Sequence, residues 1–166
     1  CHFRCEASCV KYLRVEVMAV MRGVDGFGKL WRRREIMKLP RAGAVPLLSL
    51  QDQVAAKKTQ RDKDWPMVRR LVEADLAARG GRADPSRIRF WLQECRTPEL
   101  LCELAARHPA MASRIPRPAV QAALRGKLGA VEHCLRREED AERRKDRRYW
   151  APLRAELERW RLGRRG

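Results

Sequence analysis

"VPLLSLQDQVAAKKTQRDKDWP", residues 45–66, is where the chain changes period. Upstream, apolar residues come in short β-branched runs. From Ser49 they recur at three or four residues, which is helical spacing. "SLQD" at 49–52 is a variant capping box: Ser49 is placed to bond the amide three residues on, and Asp52 sits at the positive end of the helix dipole. Leu50, Val54, Lys57 and Arg61 follow at spacings of four, three and four, so one helix through this stretch carries two cations on its apolar face. Two readings stay open. Lysine buries its stem and lets its ammonium reach water. Otherwise a cation on a buried face needs a carboxylate or a phosphate. Lys58 lies a step round the helix, on the exposed side. Asp64 precedes Trp65 and Pro66; since proline is tolerated in a first helical turn, Asp64 reads as a helix cap or as a residue with a direct catalytic role.

Working upstream, "LRVEVMAV" (13–20) alternates large apolar and polar residues and then turns wholly apolar, which predicts a strand entering a buried sheet. Glu16 interrupts that run. On a sheet covered on one face it points to solvent; alternatively, a rigid strand fixes a carboxylate as a ligand for Mg²⁺. "RGVDGFG" (22–28) is a loop, and "REIMKL" (34–39) with "AVPLL" (44–48) form a hairpin across "PRAG". Pro46 suits an edge strand.

Downstream, a second helix over 66–79 places Val68, Leu71, Val72, Asp75 and Leu76 on one side and ends at Gly80 and Gly81. Past that point no strand signal remains. "DPSRIRFWLQEC", "TPELLCELAARHP", "PRPAVQAALRG" and a tract over 129–162 all read as helices, punctuated by Pro85, Pro98, Pro109, Pro116 and Pro118. In the last tract "LRREEDAERRKDRR" is nearly all charge with opposite signs at i,i+4, the mark of a solvated helix rather than a binding arm. Tyr149, Trp150, Leu153, Leu157 and Trp160 then restore an apolar stripe that must pack on the helical body or on a partner. The fold class expected is α/β (α+β): a small sheet in residues 1–79 followed by a mainly helical region, 80–166.

The chain has 166 residues, with 38 Lys and Arg against 21 Asp and Glu, a formal charge of +17. That excess is spread along the chain. It favours polyanions such as RNA, DNA or nucleotide phosphates, or else it is an arginine-rich solvated surface. No apolar run reaches the length of a membrane span and no signal sequence opens the chain, so a cytoplasmic location is expected, with the six cysteines as thiols. Cys1, Cys5 and Cys9 recur every four residues near His2, but without the tight turn and second ligand pair of a zinc site. Cys95, Cys102 and Cys134 read as small buried apolar residues. The first residue is Cys1, and the expectation is a truncated chain or a misassigned start.

"LRVEVMAVMRGVDGFGKLWRRR", the hairpin, "VPLLSLQDQVAAKKTQRDKDWPMVRRLVEA" and "RIRFWLQECRTPELLCELAARHP" together resemble the later part of the bacterial nucleotidyltransferase-fold family, its minimal and toxin–antitoxin-type members, over roughly residues 13–160. The resemblance implies a metal-binding role for Glu16, a phosphate-binding and catalytic role for Lys57, nucleotide contacts for Arg61 and Lys63, and a catalytic role for Asp64. It implies Mg²⁺ and an NTP as cofactors. The family's Gly-Ser element and its Asp-x-Asp pair would precede residue 13, where "CHFRCEASCVKY" has neither. Two-metal nucleotidyl transfer needs several carboxylates. The expected function is therefore that of a nucleotidyltransferase-like protein whose full-length form transfers a nucleotidyl group from an NTP to RNA or protein, this chain being truncated and inactive. The alternative is a non-catalytic basic module that binds nucleic acid, nucleotide or a protein partner.

Overall fold

The computed structural model describes residues 2–10 and 12–163, without the side chains of His2 and Arg14. Cys1 and the His2 side chain, weighed above as metal ligands, lie outside the described residues. The chain divides into two compact units, Cys1–Ser49 and Leu50–Gly166. The break at 79/80 expected from sequence falls inside the second unit. Among the described residues there are eight α-helices and two separate two-stranded antiparallel sheets, a mixed α+β protein with a helical C-terminal region.

The first unit opens with β1 (His2–Arg4) and β2 (Arg14–Glu16), paired with Phe3 opposite Val15. A 3₁₀ turn, Ser8–Val10, lies between them. Then come α1 (Phe27–Arg32), β3 (Glu35–Leu39) and β4 (Gly43–Leu47). The β3–β4 hairpin is where the sequence placed it. Its turn takes Arg41 and Gly43 into the left-handed region (φ 68° and 74°), and only Gly43 does so without steric cost. Pro46 lies opposite Ile36 in a ribbon where each strand has a free edge, so its missing N–H is tolerated.

The buried sheet expected over 13–20 is not formed. β2 is three residues long, and Val15, Val17 and Met18 are about half exposed. Alternation makes a strand amphipathic, but a buried sheet also needs a second layer, and these three-residue strands present too little surface to hold one. Residues 27–32, the first two of which close the loop expected over 22–28, form α1 instead, anchored by Leu30. Leu30 and Ser49 are the buried residues of this unit among those described.

The second unit is helical throughout: α2 (Leu50–Ala56), α3 (Asp64–Arg79), α4 (Pro85–Glu94), α5 (Pro98–Arg107), α6 (Pro109–Ala112), α7 (Pro118–Leu124) and α8 (Leu128–Gly163). Four of these begin on proline, whose absent N–H falls where a helix has no intrahelical acceptor for it. Asp84 caps α4, accepting from the Ser86 and Arg87 amides at 2.8 and 3.0 Å. Val68, Val72, Trp91, Leu92, Leu101, Leu104, Val120 and Val131 form one core, each worth about 1.5–3 kcal/mol of burial. Cys95 belongs to it, and burial pushes its thiol pKa up. Cys102 and Cys134 are half-buried against it. α8 lays Val131 and Leu135 on this core, whereas residues 151–163 are all exposed. No helix among the described residues is long and apolar enough to cross a membrane.

Candidate functional site

The charges of "AKKTQRDKDWP" close on one another. α2 stops at Ala56; the Lys57 amide makes its last i→i−4 bond, to the Gln53 oxygen at 3.1 Å, and the Lys58 amide closes the end on the Ala55 oxygen at 3.3 Å. The chain then turns through Thr59 before α3 starts at Asp64. The single helix face running 50–54–57–61 therefore does not exist, because Arg61 lies in the turn. The two cations still meet, on a carboxylate. Asp64, 1% exposed, accepts from Thr59 Oγ1 at 2.5 Å and Arg61 Nε at 2.8 Å, with Lys57 Nζ at 3.5 Å. Burial acts to raise the Asp64 pKa, but the hydrogen bonds from Thr59 and Arg61 and the charge of Lys57 outweigh it, so the carboxyl is held below its ordinary value. Of the two partners open to these cations, carboxylate or phosphate, the protein supplies the carboxylate. Asp64 is the first helical residue rather than the cap; Lys63 occupies the cap position, makes no capping bond through its side chain, and is exposed.

This turn is fastened to α8. The Gln60 amide donates to Asp146 Oδ2 at 2.9 Å, and Arg143 Nη1 donates to the Gln60 oxygen at 3.0 Å and to Asp62 Oδ1 at 2.6 Å. Trp65 Nε1 donates to the Thr59 oxygen at 2.9 Å. The Arg96 and Arg143 guanidinium carbons stand 5.2 and 5.7 Å from the Trp65 ring centre, within cation–π range. Lys57, Arg61 and Asp64 are thus brought together, while Glu16 belongs to the first unit, exposed on β2 in register with His2. Among the described residues no group of three His, Cys, Asp or Glu is arranged to hold a metal ion. Glu16, which the resemblance makes a metal ligand, belongs to no such group among the described residues.

A second charge cluster lies nearer the start of α8. Glu138 accepts from Arg117 Nη2 at 2.8 Å and from Arg96 Nη1 at 3.0 Å, and Arg117 also donates to the Leu92 and Cys95 carbonyls at 2.9 and 3.0 Å. Arg96 and Arg117 are each 10% exposed. Burial and the neighbouring Arg117 push the Arg96 pKa down. An open cleft of about 590 Å³ beside the cluster is walled by Lys58, Glu94, Glu138 and Lys145 among others. Its cations are matched within the wall: Lys58 to Glu94 at 2.6 Å, Lys145 to Glu142 at 2.7 Å.

These pairings polarise α8. Val131, Leu135, Glu138, Glu142 and Asp146 recur at four, three, four and four residues, which makes one helical face, and that face meets the body of the second unit. Arg136, Arg137, Arg144, Arg147 and Arg148 fall on the opposite face, all exposed. None of the five side chains makes an ion pair or hydrogen bond among the described residues. Asp140 is the one acid among them on that face. The charged tract 135–148, which looked balanced in sequence, is acidic inward and basic outward.

Sequence reasoning missed Glu138, Arg143 and Asp146. A signal was present, since acids at 138, 142 and 146 continue the spacing of Val131 and Leu135, as cations did after Leu50 and Val54. Arg96 and Arg117 carried no such mark. Comparison of the chain with protein-family models, with curated proteins and with solved structures gave no match.

Proposed function

We propose that this protein is a basic, non-catalytic module that binds the phosphate backbone of RNA through the outer face of α8. The observation that carries this reading is the sidedness of α8, with five exposed, unmatched arginines opposite a face whose Glu138 and Asp146 are engaged by the body. Arg136 and Arg148 are separated by about 18 Å of helix at 1.5 Å per residue, a rigid row of guanidinium groups suited to phosphate oxygens. Contacts of this kind are independent of base sequence. The net charge of +17 adds a field that draws polyanions toward every part of the chain. The described cysteines are free thiols, which suits the cytoplasm, the compartment this reading assumes.

The nucleotidyl transfer implied by the resemblance stands second. For it, Lys57 and Arg61 must leave Asp64 for a triphosphate, and Glu16 must be joined by further carboxylates. The binding reading needs neither step.

The test is a titration of a labelled RNA oligomer with the full chain at several salt concentrations. Each phosphate contact on a single strand contributes about 0.7 to the slope of log K against log salt. Replacing Arg136, Arg144, Arg147 and Arg148 together by Gln is expected to lower that slope by about 3 and weaken binding at least tenfold at low salt. Unchanged affinity and slope in this variant would remove α8 as the interface.

A further inference from the structure

We infer that α1 in the first unit is a stacking site for one unpaired nucleobase, an inference that rests on the RNA-binding reading above and specifies which form of RNA is held. Phe27 and Trp31 lie at i and i+4 on α1, and Arg34 follows two residues past its end. The Phe27 and Trp31 rings stack with centres 5.6 Å apart and planes at 26°. The Arg34 guanidinium carbon lies 4.3 Å from the Trp31 centre, and its Nη1 donates to the Trp31 carbonyl at 2.7 Å, which fixes it there. The column thus has a pinned cation at one end and Phe27, 71% exposed, at the other. Leaving two stacked aromatic rings in water is unfavourable unless something covers them.

The surroundings select the cover. A cavity of about 230 Å³ adjoins the rings, lined by Met18, Met21, Leu30 and Leu47 among others. That is smaller than the range of about 300–1,000 Å³ typical for drug-sized ligands, and it suits a single flat ring system. The same helical turn carries Lys29, Arg32 and Arg33. Asp25 matches Lys29 at 3.3 Å and Arg33 at 2.8 Å, whereas Arg32 is exposed and makes no such pair among the described residues. An aromatic platform flanked by cations matches a base joined to a phosphate, whereas an uncharged apolar ligand would make no use of the cations. A base inside a duplex has both faces covered, so the site takes single-stranded RNA.

Two labelled oligomers of equal length separate this inference from the α8 reading: oligouridylate, and an abasic ribose-phosphate chain that keeps the charge but lacks the bases. Phe27→Ala is expected to weaken oligouridylate binding about tenfold and to leave abasic binding and the salt slope unchanged. Phe27→Leu, which keeps an apolar side chain without a π face, is expected to behave like Phe27→Ala; circular dichroism checks that both variants fold. The stacking site is overturned if Phe27→Ala changes neither affinity, if it weakens both equally, or if leucine retains full affinity. Arg144→Gln with Arg148→Gln should weaken both oligomers alike. Absence of binding of either oligomer to the unaltered protein overturns the α8 reading and this one with it, whereas salt-dependent binding indifferent to Phe27 overturns the stacking site alone.

Discussion

The two units use the same chemistry to different depths. Both are rich in arginine and both have regular secondary structure, yet the second gathers a core from all seven of its helices, while the first buries Leu30 and Ser49 among its described residues. In the second unit charge follows burial. Asp64, Asp146, Arg96 and Arg117 are nearly covered, and each of them meets groups of the same unit. In the first unit charge stays at the surface, and the pairs of Asp25 with Lys29 and Arg33 are exposed. A buried ion left without its partner costs several kcal/mol, whereas an exposed pair contributes little. Strong electrostatic constraint is therefore a property of the helical unit, even though the cations are spread through both.

Four experiments break or sharpen that contrast. The largest expected effect is in hydrogen exchange. Amides of Val72, Leu101 and Val131 are expected to exchange at least about a thousandfold more slowly than those of Ile36 and Val45, because few buried contacts hold the ribbons against local opening. Equal protection in both units would mean that the first is stabilised by something other than its own core.

Next is Glu138→Ala, which strands two arginines that are each 10% exposed. A loss of about 3 kcal/mol in unfolding free energy is expected by urea denaturation. A loss below about 1 kcal/mol, the scale of an exposed pair, would show the cluster to be solvated.

Asp64→Asn follows, with an expected cost of about 2 kcal/mol at neutral pH from weakened bonds to Thr59 and Arg61. Since the folded Asp64 pKa lies below its ordinary 3.8, its contribution is complete above that value and is lost as pH falls through the folded value. The variant should accordingly show a shallower fall in stability on acidification below about pH 4. An identical acid profile would sink the assignment. The smallest effect is expected from Lys57→Ala. Its ammonium is 3.5 Å from Asp64 and the side chain is 34% exposed, so the cost should stay below about 1 kcal/mol. A larger loss would make Lys57 rather than Arg61 the main partner of the carboxylate.

The sequence by itself determined where α4, α5 and α7 begin, since prolines at 85, 98 and 118 and a capping aspartate at 84 act within a turn of their own position. It also determined the hairpin of β3 and β4, which its own turn residues and short β-branched runs specify. It brought Lys57, Arg61 and Asp64 to notice as a group, though through a helix face that the end of α2 at Ala56 rules out. Tertiary structure alone decided the rest. Whether Val15 and Val17 are covered depends on a second layer that no local pattern encodes. Whether Glu138 and Asp146 neutralise their neighbours on α8 or engage the body depends on Arg96, Arg117 and the Gln60 amide, up to 86 residues away. Charge acts through space, so the sign of a helix face is fixed only when the fold has chosen which of its charges meet a partner and which meet water.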